Sequence, residues 1–124
     1  MIINSLNFIV SLGVYPFDVM VSIGESDEEV RKQLENRGIN VSQTDFTHSS
    51  QQSGRTAIFS ENVVLLRIYN SQKSAMWHGV LAHEIFHASE FVLERIGMRL
   101  TLDSDEAYAY LIGYLTEKIY EKIL

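Results

Sequence analysis

A chain of 124 residues has material for one core and no second, and 46% hydrophobic with 21% charged residues excludes a disordered tail or a fibrous repeat. Sixteen acids against ten bases leave a net charge of −6 without a Lys/Arg cluster, which makes the chain a poor candidate for wrapping nucleic acid or an anionic membrane, and neither is expected as a partner. With no cysteine, disulfide scaffolds, thiol nucleophiles and thiolate zinc sites are excluded, so any metal must be held by histidine and carboxylate.

The first basic residue is Arg31, so the apolar opening lacks the positive segment of a secretory signal. Asp18 interrupts the longest candidate for a membrane span, and a cytoplasmic protein is the expectation. Residues 2–10 read as a first strand. Residues 17–23 (FDVMVSI), short and rich in β-branched side chains after Pro16, read as a second. Ser26 has the character of a helix N-cap, with Asp27, Glu28 and Glu29 in the first turn and Gly38 closing the helix. Residues 41–54 are polar, small and aperiodic, which predicts a loop. Residues 56–60 and 63–69 are strand-like and joined at Glu61-Asn62, a predicted hairpin. A long helix is then predicted over 72–96, capped by Ser71 or Ser74 and stopped at Gly97. A last helix starts at Asp103 or Ser104 and runs to about 123, with Asp105 and Glu106 in its first turn. This order predicts an α+β domain with helices packed on a small sheet.

The long helix carries His83-Glu84-Ile85-Phe86-His87, an H-E-x-x-H. Side chains four apart share one helix face, so both imidazoles reach one metal ion. Glu84 lies about 100° around the helix from His83, off the metal but within reach of a water on its open position. Zinc acidifies such a water, and the glutamate takes its proton as it attacks a carbonyl. A pair of surface histidines on an acidic helix is the plain alternative.

Catalytic zinc takes three protein ligands and a water, so a third ligand is expected. Glu90 shares the histidines' face but lies about 10 Å along the axis from His83, and no Gly or Pro breaks the helix before Gly97. It is expected behind the ligands or in solvent, and Glu94 on the surface. Glu106 is the expected third ligand. The turn over 97–102 folds the last helix back antiparallel, and the small Ala107 and Ala109 let the two helices approach closely. Asp103 and Asp105 are its nearby alternatives, though acids also suit a helix start.

HEIFH on one helix, with Glu106 in DEAYAYL nineteen residues after the second histidine, resembles the glutamate-zincin metallopeptidases. It is similar in particular to the ImmA/IrrE-type zincins of phages and mobile elements. The resemblance covers residues 63–117. It implies a small zincin-like domain with Zn2+ held by His83, His87 and Glu106, and Glu84 as general base. It also implies that 63–69 is the strand along which an extended peptide or protein substrate lies. The chain departs from larger members in two ways: the position four beyond the third ligand, often an Asp, is Tyr110, and no second subdomain walls a deep cleft.

Tyr110 shares the face of Glu106 and is the candidate donor to the developing oxyanion. Tyr108 and Tyr114 are expected to pack. His78, across the helix from His83, is expected to be a satisfied, partly buried histidine, and nothing in the sequence positions His48 near the metal. The expectation is a zinc-dependent peptidase. Its first rival is a zincin scaffold that grips a partner protein without cleaving it, and a metal-dependent hydrolase of a non-peptide substrate is a weaker third.

Overall fold

The computed structural model describes residues 5–124. β1 (Leu6–Ser11) and β2 (Asp18–Ile23) form an antiparallel pair. β1 corresponds to the strand expected over 2–10 as far as that stretch is described; residues 1–4 lie outside. α1 (Asp27–Asn36) starts on a reciprocal cap: the Ser26 hydroxyl accepts from the Glu29 N–H, and the Glu29 carboxylate accepts from the Ser26 N–H. Those bonds hold the Glu29 carboxyl below its usual range. The next loop contains one 3₁₀ turn, Val41–Gln43. β3 (Gly54–Phe59) and β4 (Val63–Ile68) form the expected hairpin. It turns at Asn62 with φ 63°, a conformation asparagine tolerates better than most residues. α2 (Ala75–Arg95) is capped by Ser74, whose hydroxyl accepts from the Trp77 N–H. α3 (Asp105–Ile123) completes the chain.

The strands form one mixed sheet in the order β1-β2-β4-β3, with β2 and β4 parallel and the outer pairs antiparallel. Successive side chains of a strand point to opposite faces. Val19, Val21, Val64 and Leu66 meet α2 and α3, while Met20, Val63 and Leu65 meet α1. The sheet is therefore covered by helices on both faces, and all six residues of β4 are buried. An almost unbroken apolar run is what such a strand requires.

α2 and α3 pack antiparallel. Tyr108 donates its hydroxyl to the Met98 carbonyl at 2.9 Å near the reversal, and Lys73 Nζ reaches the Ile123 carbonyl at 3.3 Å at the far end. Between them His78 Nδ1 meets the Tyr120 hydroxyl at 2.5 Å. Among the described residues no helix is long and apolar enough to cross a membrane.

Arg67, on the α1 face of β4, is 1% exposed. Its guanidinium donates to the Asp27 carboxylate at 2.7 Å, the Phe46 carbonyl at 2.8 Å and the Glu25 carbonyl at 2.9 Å, and it lies over the Tyr69 ring. One buried cation thus ties β4 to the start of α1 and to the loop ahead of β3. Burial pushes the Asp27 carboxyl up, but the bonds from Arg67 and the His48 N–H outweigh it and leave the pKa below its ordinary value.

Candidate metal centre

One face of α2 and the free side of β3 enclose a cleft of about 780 Å³. His83 and His87 stand on its α2 wall with their Nε2 atoms 3.0 Å apart. Two imidazoles on one tetrahedral zinc, at about 2.0–2.1 Å each, place these nitrogens about 3.3 Å apart. His87 Nδ1 lies 3.3 Å from Glu90 Oε1, the carboxylate–histidine contact that orients a ligand ring. Glu84 is turned inward and is 6% exposed. Its Oε1 accepts from the Thr56 hydroxyl at 2.6 Å, and its Oε2 lies 4.0 Å from His83 Nε2.

Gly54 makes this approach of helix to strand possible. A Cβ there would lie 2.9 Å from the Arg67 carbonyl oxygen and 3.0 Å from both Glu84 Cγ and Val80 Cγ1. Just before β3 the Ser53 carbonyl accepts from the Tyr69 N–H, which follows β4, whereas the Ile58 carbonyl points outward to the Thr44 hydroxyl. Alternation along the strand then turns the main-chain N–H and C=O of Gly54 and Thr56 to the open edge, alongside the cleft.

This corrects the expected substrate strand. Residues 63–68 form β4, with Tyr69 just beyond it; β4 is paired on both sides and offers no edge, and the edge at the cleft belongs to β3. The reason is the parallel pairing of β2 with β4, which places the second strand of the hairpin inside the sheet.

Glu106 and Tyr110 are not brought to the histidines. Both are exposed, Tyr110 at 76%, and neither lines the cleft. α3 buries the stripe Tyr108, Leu111, Leu115 and Ile119, and Glu106 lies about 200° around the helix from Tyr108. α2 also runs eight residues past His87, about 12 Å, before the chain reverses. Moreover, α3 packs on the face of α2 that carries His78, about 180° around from His87. Among the described residues no third His, Asp or Glu joins the pair in a group able to hold a metal.

Comparison of the chain with protein-family models, with curated proteins and with solved structures returns no match.

The remaining candidates have other partners. His48 lies tilted against Tyr69 with ring centres 4.0 Å apart and does not line the cleft. His78 is exposed rather than partly buried, and it is satisfied by Tyr120. Tyr108 is buried, and Tyr114 donates to the Ser11 carbonyl. Gly54 and Thr56 escaped sequence reasoning. A glycine at the mouth of a strand is a signal for close approach of another element, but the glutamate it admits is distant in sequence. Two Nε2 atoms 3.0 Å apart, with a carboxylate behind one ring, are spaced as two of the three protein ligands of one zinc would be. Glu106, as placed, does not supply the third.

Proposed function

We propose that this chain is a minimal zincin similar to the ImmA/IrrE type: a zinc-dependent peptidase acting on an extended peptide or protein segment. The observation that carries the reading is the convergence of His83 and His87 Nε2 at 3.0 Å, beside the buried Glu84 carboxylate and inside a cleft. His83 and His87 would hold the ion, with Glu90 fixing the His87 ring through Nδ1. Zinc, when bound, polarises the scissile carbonyl and acidifies water. Glu84 Oε2 takes the proton of the attacking water and passes it to the departing amine. The outward main-chain groups of Gly54 and Thr56 align the substrate as an added strand.

The decisive variant is Glu84→Gln. It is expected to retain zinc and fold while losing roughly 10²–10⁴ in rate against a library of unstructured peptides. Hydrolysis at the wild-type rate would refute the reading.

The outward position of Glu106 favours a second reading, a binding protein built on the same scaffold that grips a partner along β3 without cleaving it. Wild type and Glu84→Gln would then bind that partner equally, and neither would cleave.

A further inference from the structure

We infer that Thr56 is the positioning residue of the general base, fixing the Glu84 carboxyl group so that one oxygen stays turned toward His83 and free to take a proton; the inference rests on the peptidase reading of the cleft. A glutamate has three rotatable side-chain bonds, so an unanchored carboxyl group turns its oxygens in many directions. Here the side chain is held at two points. Its Cγ sits in space that any side chain on Gly54 would fill, with Val80 against the same spot. Its Oε1 accepts the Thr56 hydroxyl at 2.6 Å, a charge-assisted distance for an O–H donor to a carboxylate. The same hydroxyl lies 3.3 Å from the Glu84 carbonyl, a weaker contact that keeps it over this turn of α2.

Oε2 has no hydrogen-bond donor among the described residues, and it is the oxygen that faces His83 Nε2 at 4.0 Å. Holding Oε1 therefore dedicates Oε2 to proton transfer. Threonine suits the task because its β-branched side chain is stiff about χ1, so the hydroxyl is presented at one place. Thr56 also belongs to the edge along which the substrate would pair. Its main chain faces outward and its side chain faces α2. One residue thereby sets both the register of the peptide and the orientation of the base.

The test uses Thr56→Val, which removes the hydroxyl at nearly constant shape, with Thr56→Ser as the rescuing variant. Thr56→Val is expected to lower kcat roughly 10–100-fold, the scale of a misplaced reacting group, with KM and zinc content unchanged. Thr56→Ser is expected to recover most of that loss. A second readout needs neither zinc nor turnover: the carboxyl ¹³C resonance of Glu84, identified by its disappearance in Glu84→Gln. It should move in Thr56→Val and return in Thr56→Ser at one fixed pH. Equal losses in the valine and serine variants would overturn the inference. If the wild type cleaves nothing, the peptidase reading fails; an unmoved Glu84 resonance in Thr56→Val then overturns the role of Thr56 as well.

Discussion

Replacing Arg67 with methionine removes a buried cation without emptying its space, and the three partners of the guanidinium determine the cost. The Phe46 carbonyl is buried and loses its donor; the Glu25 carbonyl is partly buried and loses another. A buried acceptor left unsatisfied costs about 1–3 kcal/mol, with Glu25 at the low end. The third partner behaves differently. Asp27 is 39% exposed, so water takes over its carboxylate and the lost ion pair is worth no more than about 1 kcal/mol. Against these stands the relief of no longer desolvating a guanidinium. The expected net loss is about 2–4 kcal/mol, a fall in Tm on the order of 10 °C for a chain of this length. Urea unfolding measures it as a lower midpoint at constant slope. Asp27→Asn serves as the control and should cost about 1 kcal/mol or less. A fully stable Arg67→Met, or an Asp27→Asn equally damaging, would refute the assignment of the cost to the two carbonyls.

The same geometry sets other outcomes. His83→Ala or His87→Ala should release zinc, and Glu90→Ala should weaken its binding roughly 10–100-fold through the His87 ring; competition with a chelator measures both. Glu106→Ala and Tyr110→Phe should leave zinc affinity unchanged, since both side chains point into solvent; loss of the metal in Glu106→Ala would contradict the packing of α3. Gly54→Ala should destabilise by about 1–3 kcal/mol, because the added Cβ meets a backbone carbonyl that cannot move aside; a wild-type midpoint in thermal melts would show that β3 can yield. Asp45 is held at about 2 by the Thr47 N–H and hydroxyl and by Arg55, down from 3.8, so its contribution is complete above pH 3.8 and is lost as pH falls toward 2. Asp45→Asn should flatten that part of the acid-unfolding slope, and an unchanged slope would discount the contact.

The elements were legible where the chain carries punctuation. Ser26 and Ser74 cap helices, Gly97 takes φ 88° just past α2, and Asn62 turns the hairpin. The convergence of His83 and His87 was legible for the same reason, since i and i+4 on one helix are local geometry. Position across the sheet was not. VVLLRI looks like any apolar strand, and only its pairing with β2 makes it an interior one. Its apolar character, broken only by Arg67, was a clue to burial on both faces that outweighs its nearness to the motif. Glu106 misled because spacing along the chain does not fix which way a helix faces. The stripe Tyr108, Leu111, Leu115 and Ile119 decides that, and it carries Glu106 away from α2. Thr56 and Gly54 meet Glu84 only through tertiary packing, which no local pattern announces.

Every residue lining the cleft lies between Gln52 and Phe91. That stretch closes on itself through a tight hairpin and one helix laid against it. The parallel seam spans more chain: Asp18 pairs with Val63 across α1, the loop behind it and β3. Closing longer loops takes more chain entropy, and contacts of short separation form sooner. The candidate chemical groups are therefore gathered in one continuous stretch whose contacts span less chain than the seam between β2 and β4. Arg67 bridges the two parts, tying β4 of that stretch to Glu25 and Asp27 far ahead of it in the chain.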